Sequence, residues 1–309
     1  MWFKNLRVYR LTQPFTLSAE DLAEGLSEKA FQPCGKQDML RYGWVPPLGR
    51  HGKEFVHTTN GYIMVCAKKQ EKILPSAVIN EHLEEKVAQI SQEEGRAVGR
   101  SERQNLKEEI LFSLLPLALT RSQLQYAYIA PNENWIVVNA GSATKAEDLL
   151  GALREVVGSL PVIPLTTKSM PSQSMTAWLA ASELPDGFEF GDECELEAPK
   201  DEGRTVRCKK QDLTAEEVIN HINTGMVVRK LALSWQDSVQ CIIDQDLGIK
   251  RLKFSEEILD KVNERSPESA VEEFDLDFNI MTMELRGFLE ALQQAFGGIN
   301  LKHAVVEEE

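Results

Sequence analysis

Strand and helix patterns alternate irregularly along this chain, and that irregularity constrains its fold more than any other feature. Strand patterns occur at 3–11 and 61–67, and a three-strand meander is predicted over 226–254. Helical spacing of apolar residues covers 76–94 and 142–157. These segments lack the steady strand–helix–strand order of a doubly wound parallel sheet. The sequence therefore predicts an α+β protein with mixed sheets and helices.

A helical hairpin is predicted between residues 76 and 122. Its second helix is expected to begin at Ser101, because Ser101 and Gln104 have the spacing of a capping box. The short, glycine-containing joint at 95–100 makes the two helices antiparallel neighbours. The pattern leaves two arrangements open, namely an arm that projects from the body and an ordinary packed pair.

The best domain boundary is the linker at 166–174, which is rich in Ser, Thr, Pro and Lys. Residues 32–52 are rich in Pro and Gly and are predicted to form an ordered loop. The predicted divisions are a central α+β domain at 1–75 and 123–168, the hairpin arm at 76–122, and a second α+β domain at 169–309 that carries a basic segment and acidic C-terminal helices.

The charge of the chain is unevenly distributed. The net charge is −14, which by itself argues against nucleic-acid binding. Residues 183–203 hold nine acids and one base, and residues 255–309 hold fourteen acids and four bases. The remainder is therefore slightly positive. If both acidic segments point outward, a positive surface can exist elsewhere; alternatively, the acids serve only solubility.

The most basic segment runs from Arg204 to Lys210 and includes Arg207 and Lys209. Gln211 follows it, and Thr214 then has capping-box spacing with Glu217, which predicts a helix start. One interpretation is a basic edge strand, whose lysines prevent aggregation. The other is a phosphate-binding strand, to which the positive end of the helix contributes.

Two further basic clusters lie on or beside predicted strands. Their members are Lys250, Arg251 and Lys253 in the last strand of the meander, and Lys68, Lys69 and Lys72 after the strand at 61–67. Aromatic residues do not alternate with these cations, so stacking on single strands is not indicated. Contact with the backbone of a duplex is the better nucleic-acid hypothesis.

Motifs for catalysis, cofactors or metals are not recognisable in this sequence. It contains no phosphate-binding glycine loop and no GxSxG nucleophile motif. The five cysteines are scattered, which favours reduced thiols in a cytoplasm over a disulfide framework or a zinc site. The acidic turn at 244–248 lacks the final glutamate of a calcium loop. We therefore expect no catalytic residues, no cofactor and no metal.

The chain resembles the bacterial RdgC family of recombination-associated proteins over essentially its full length. The resemblance is carried by long motifs in the family's order. They are WFKNLRVYRL at 2–11, FQPCGKQDM at 31–39, GWVPPLG at 43–49, KILPSAVI at 72–79, SLLP at 113–116, KAEDLLGALREVVGSLPVIPL at 145–165, KKQDLTAEEVINHI at 209–222, KLALSW at 230–235, KRLKF at 250–254 and FDLDFNIMT at 274–282.

The resemblance implies a non-enzymatic protein that binds double-stranded DNA with little sequence preference. It implies a ring-shaped homodimer around the duplex, restraint of the RecA recombinase, and a nucleoid-associated cytoplasmic location. It places Lys209, Lys210 and Gln211 near the DNA path, with bases lining the hole and acids facing out. At the ring-closing contact, leucines at 117 and 119 stand where family members carry an arginine and a phenylalanine, with Arg121 nearby.

Two other functions remain open from the sequence. The first is a protein-interaction module that inhibits the recombinase directly, with DNA binding secondary. The second is an unrecognised nuclease or phosphotransferase, which would depend on divalent metal ions.

Overall fold

The computed structural model describes residues 1–199, 203–264 and 267–300, and it confirms the predicted α+β class. The described residues form two antiparallel sheets and eight α-helices. The strands are β1 Arg7–Leu11, β2 Leu40–Val45, β3 Val56–Thr59, β4 Tyr62–Lys72, β5 Thr120–Ala130, β6 Trp135–Val138, β7 Val162–Pro164, β8 Phe188–Glu197, β9 Thr205–Lys209, β10 Val227–Trp235, β11 Val239–Asp244 and β12 Ile249–Phe254. The helices are α1 Ala19–Glu28, α2 Ser76–Glu94, α3 Arg100–Leu114, α4 Ala143–Val157, α5 Pro171–Ala181, α6 Glu216–Asn223, α7 Glu256–Glu264 and α8 Ala270–Ala295.

The chain divides into two compact units. Unit 1 comprises Met1–Gly25, Pro46–Val65 and Tyr126–Glu309, and unit 2 comprises Leu26–Val45 and Cys66–Gln125. The strand order of the first sheet is β2-β4-β5-β6-β1-β7, with β3 also paired to β4. The second sheet lies in unit 1 and has the order β12-β11-β10-β8-β9. Strand β9 is therefore at an edge, as the first interpretation of the basic segment predicts.

The long helix α8 supplies much of the core of unit 1. Its Phe288 ring lies 5.9 Å from Trp235 of the five-stranded sheet, and its Phe278 ring lies 6.0 Å from Tyr128 on β5. These side chains are nearly fully buried in one apolar cluster. One helix therefore packs on strands of both sheets through a stripe of apolar residues, as its sequence period requires.

Unit 2 contains the predicted helical pair. Helices α2 and α3 contact each other, and Gly95 ends α2 in the left-handed conformation. The predicted capping box at Ser101 is wrong, because α3 begins at Arg100 after Gly99 and Ser101 lies inside its first turn. Among the described residues, no helix combines the length and apolarity needed to cross a membrane.

The loop predicted at 32–52 is wrong in part, because it contains strand β2. In this strand Tyr42 pairs with Lys69 of β4 across an antiparallel register. Gly43 lets the strand approach the backbone of Phe31, since a Cβ at that position would lie 2.5 Å from the Phe31 Cα. The pairing comes from a distant segment, so local composition could not indicate it.

Two further expectations fail around the basic segment. Strand β8 occupies much of the acidic stretch at 183–203, where no strand was predicted. Helix α6 begins at Glu216 after Ala215 without a side-chain cap, so the capping box predicted at Thr214 is wrong. The Thr214 hydroxyl instead donates a hydrogen bond to Asp212, at 2.6 Å.

Candidate nucleic-acid interface

One side of the five-stranded sheet is covered by the core, and the other side carries the charged residues. On β10, Leu231 and Leu233 are buried in the apolar cluster, whereas Lys230 and Ser234 on the alternate positions are half-buried. On β9, Cys208 points into the same cluster, whereas the residues on either side of it are exposed. We call the charged side the basic face. Its charged members are Asp192, Glu193, Glu195, Arg207, Lys209, Lys230, Arg251 and Lys253, which line two shallow depressions.

Three neighbouring strands place Arg207, Glu195 and Lys230 side by side. Glu195 on β8 is the register partner of both cations. The Arg207 Nε donates to the carboxylate at 2.9 Å, and the Lys230 ammonium donates to both carboxylate oxygens at 3.0 Å. Lys230 was not predicted as a site residue. The signal available for it was its position in a basic pair at the start of a strong strand pattern.

Glu195 is ionised in this setting. Burial raises the pKa of Glu195. The hydrogen bond and charge of Lys230 and the charge of Arg207 lower it by more than burial raises it, so the net pKa lies below the ordinary 4.5. Its side chain is 18% exposed, whereas that of Arg207 is 65% exposed. The guanidinium is therefore anchored by the carboxylate and still open to solvent.

A second acid, Glu193, is arranged in the same way. It accepts a hydrogen bond from the Arg251 guanidinium at 2.8 Å and is the register partner of Lys209 on β9. Arg251 lies at a register shift between β11 and β12 and has a φ of 50°. This left-handed backbone is rare for a residue with a side chain, and it interrupts the strand's alternation. Because of this shift, Lys250 and Lys253 are opposite Ile242 and Gln240, which lie on the same side of the sheet. Arg251 and Lys253 both line the depressions.

The acids of β8 contradict the expectation that bases and acids are segregated. Glu193 and Glu195 lie among the cations, and Glu197 pairs with Arg229 at 2.8 Å. The charged residues that line the two depressions are nevertheless five cations and three carboxylates. The depressions have volumes of about 240 and 500 Å³. The basic face therefore keeps a positive excess, although it is smaller than the sequence implied.

The end of β9 presents Lys209, Lys210 and Gln211 to solvent. Lys210 has a φ of 53°, so the chain turns there and its side chain leaves the strand's alternation. Within the described residues, neither lysine has an ion-pair partner. Helix α6 does not strengthen this site for anions, because Glu216 and Glu217 occupy its first turn.

Lys250 is opposite Ile242 on the charged side of the sheet, but it does not line the two depressions. Its ammonium and the Arg7 guanidinium both contact the buried carboxylate of Asp244, each at 3.0 Å. The other Asp244 oxygen accepts hydrogen bonds from backbone N–H groups of Asp246 and Gly248. The sequence of this turn weakly resembles a calcium loop, but in the structure its Asp244 carboxylate is paired with two cations of the protein itself. Arg204 precedes β9 and is exposed.

In unit 2, Lys68, Lys69 and Lys72 lie along β4 and are half-buried. The Lys68 ammonium sits 4.6 Å from the centre of the Phe31 ring. The backbone N–H of Lys72 donates to the Met39 carbonyl. By the alternation of β4, Lys68 and Lys72 lie on one side of the strand and Lys69 on the other.

Two leucines of unit 2 are unusually exposed. Leu117 and Leu119 are 80% and 78% exposed, and the Leu119 carbonyl accepts a hydrogen bond from the backbone of Ile73. Ile73 is itself 45% exposed, and Phe112 on α3 is 58% exposed. Arg121 follows at the exposed start of β5. Unit 2 thus carries several large apolar side chains in contact with water.

Among the described residues, no group of three or more His, Cys, Asp or Glu side chains is arranged to hold a metal ion.

Comparison with known proteins relates this chain to one protein family. Residues 1–299 match a family model described as "Putative exonuclease, RdgC".

Curated relatives bear the name "Recombination-associated protein RdgC". The protein from Aeromonas hydrophila is 46% identical over 298 residues, which cover 96% of this chain and 98% of the relative. The protein from Tolumonas auensis is 46% identical over 96% of this chain and 99% of its own length. The protein from Yersinia enterocolitica is 44% identical, with coverage of 96% and 98%.

Proposed function

Because the chain belongs to the RdgC family of recombination-associated proteins, we propose that it binds double-stranded DNA without sequence preference through the basic face. The observation that carries this proposal is the row of cations across neighbouring strands, with exposed Lys209 and Lys253 beside anchored Arg207 and Arg251. Ammonium and guanidinium groups bind phosphates, which repeat along any duplex regardless of sequence. The lysines of β4 are proposed as further phosphate contacts.

A duplex is a better ligand for the basic face than a single strand. Single-strand binders stack bases on exposed aromatic rings. Among the described residues that line the two depressions, Phe190 is the aromatic one, and it is half-buried against the core. The cations therefore supply the binding energy, and phosphates are the chemical group they recognise.

Alanine at Arg207, Lys209 and Lys210 tests this assignment. Each lost phosphate contact should reduce the slope of log K against log salt by about 1, so the triple variant should lose up to about 3. Binding to duplexes of unrelated sequence should weaken alike. Lys168→Ala, which removes one exposed cation beside the end of α8, is the control. An unchanged affinity and slope in the triple variant would exclude this strand.

We further propose that two copies form a ring around DNA and that the hairpin of α2 and α3 is part of the arm that closes it. Leu117 and Leu119 support this proposal, because side chains so exposed lose contact with water when two copies meet. Arg121 would lie at the rim of the same contact. Leucine supplies apolar area at these positions but no charge.

Replacement of Leu117 and Leu119 by aspartate should shift the mass in solution from dimer towards monomer. Met283→Asp is the matched control, because Met283 is 62% exposed on α8 in unit 1. The control should leave the mass unchanged. If the double variant remains dimeric at the same concentrations, the two leucines do not close a ring.

The proposed consequence of binding is restraint of RecA-mediated recombination, because a protein around the duplex denies the recombinase access. The competing hypothesis is direct inhibition of the recombinase. The alanine triple variant separates the two in a strand-exchange assay at a salt concentration where its DNA binding is no longer detectable. Loss of inhibition supports the DNA route, and full inhibition supports direct contact.

A nuclease is a second candidate function, favoured by the description of the matching family model. We propose instead that the protein performs no chemistry on DNA, because the acids at the centre of the basic face are held in ion pairs by Arg207, Lys230 and Arg251. End-labelled duplex incubated with Mg²⁺ or Mn²⁺ should remain intact. Shortening that stops when a chelator is added would establish nuclease activity.

A further inference from the structure

Two cysteines that are distant in the sequence become neighbours across β8 and β9. Cys194 and Cys208 are direct partners in the antiparallel register. Both are free thiols on the covered side of the five-stranded sheet, where they are 4% and 8% exposed. They join the same apolar cluster, so their side chains share one environment.

The register gives this pair a spacing suited to a disulfide. The Ala198 N–H donates to the Arg204 carbonyl at 3.0 Å, which makes that pair hydrogen-bonded. Every second pair along an antiparallel ladder is hydrogen-bonded, and the pair of Cys194 and Cys208 is four positions from that of Ala198 and Arg204. The two cysteines are therefore also a hydrogen-bonded pair. Facing Cα atoms in such a pair are about 5.5 Å apart. Disulfides span Cα separations of about 4.4–6.8 Å, so the Cα spacing suits a bond. The facing Cβ atoms of such a pair are about 4.5–5.5 Å apart, so the edge strand must move slightly towards β8 to reach the Cβ spacing of about 3.5–4.5 Å in a disulfide.

We propose that Cys194 and Cys208 form a reversible oxidation site, at which a peroxide converts the two thiols into a disulfide. In the first step one thiol, as its thiolate, attacks a peroxide oxygen; the O–O bond breaks, and a sulfenic acid and one water form. In the second step the other thiol attacks the sulfenic sulfur, the S–O bond breaks, and a second water leaves. The two sulfurs together lose two electrons to the peroxide, which is reduced.

The surroundings make this site slow to oxidise. Burial, and then the neighbouring Cys208, raise the pKa of Cys194 to about 12. Because the thiolate is the nucleophile, a buried thiol with a raised pKa reacts slowly. Strand β9 is at the sheet edge, so opening of this strand is the route by which oxidant reaches the pair.

A bond at this position would tie the edge strand to β8. Cys208 lies between Arg207 and Lys209, so the strand that carries these proposed phosphate contacts would be fixed covalently. This consequence rests on the proposed function, whereas the oxidation chemistry does not. The test therefore measures the bond itself and needs no DNA.

The full-length protein is exposed to hydrogen peroxide, its remaining thiols are alkylated, and it is digested with pepsin without reduction. Mass spectrometry should find a peptide that links Cys194 to Cys208 and that disappears after treatment with dithiothreitol. The oxidised protein should also unfold about 5 °C higher, because the bond closes a short loop.

Cys34→Ala is the matched control, because Cys34 is the cysteine with a partly exposed side chain. It should leave the link intact, whereas Cys194→Ala should abolish it and leave Cys208 open to alkylation. Slow formation relative to oxidation of Cys34 is expected. The proposal is overturned if the wild-type protein shows no such link after exposure to peroxide is continued well beyond complete oxidation of Cys34, or if either cysteine links mainly to another one.

Discussion

Replacement of Glu195 by glutamine should strengthen DNA binding while it weakens the fold. The change keeps the size of the side chain and removes the charge that Arg207 and Lys230 share at 2.9 and 3.0 Å. Arg207 is 65% exposed, so its pair is screened by water and contributes little. Glu195 and Lys230 are less exposed, and we expect a total loss of about 1–2 kcal/mol in the free energy of unfolding.

The gain in DNA affinity follows from the charge released. One additional cation free to contact phosphate should make the slope of log K against log salt steeper by about 0.9. At 0.1 M monovalent salt this corresponds to affinity that is about fivefold to tenfold higher. Fluorescence anisotropy of a labelled duplex, titrated at several salt concentrations, measures both the affinity and the slope.

Glu290→Gln is the matched control for this variant. Glu290 lies on α8, which packs on the covered side of the sheet, and it also pairs with an arginine, Arg286, at 3.1 Å. The control changes net charge equally and should alter affinity much less. If the two variants bind alike, net charge alone governs binding; if Glu195→Gln binds more weakly than wild type, Glu195 positions its cations for DNA and the reasoning fails.

Three further outcomes are expected. Asp244→Asn should lower the free energy of unfolding by ~3 kcal/mol, measured in urea, because two cations lose their buried partner. Gly43→Ala should cost ~1–3 kcal/mol through a backbone clash, whereas Gly151→Ala, in an open helical position, should stabilise by up to ~1 kcal/mol. The contribution of Glu195 to the free energy of unfolding should be complete above its unfolded pKa near 4.5 and should be lost as pH falls through its lower folded pKa. Unfolding curves measured at a series of pH values should show this loss in the wild-type protein and not in Glu195→Gln.

Much of the fold was predictable where local periodicity and turns agree. The three strands of the meander, β10 to β12, are as predicted because their alternation is strong and their turns are short. Strand β8 was missed because glutamates at alternate positions made it look like a solvated acidic stretch. The alternation itself, with Cys194 and Leu196 between glutamates, was the available signal.

The residues of the candidate site were likewise predictable only in part from the sequence. The basic residue types near 204–211 and 250–253 could be identified from composition, and the edge position of β9 could be predicted. Their ion-pair partners could not, because the match of Glu195 to Arg207 and Lys230 depends on the register of three strands. The left-handed backbone at Arg251 is likewise set by a register shift, which local sequence does not specify.

Acetylation of lysines in the presence and absence of duplex DNA tests the central claim most directly. The account predicts that DNA protects the exposed Lys209, Lys210 and Lys253, as measured by mass spectrometry of the modified peptides. Lys168, beside the end of α8, should be modified equally with and without DNA. Equal modification of Lys209, Lys210 and Lys253 in the two conditions, at a DNA concentration that saturates binding, would contradict the assignment of the basic face.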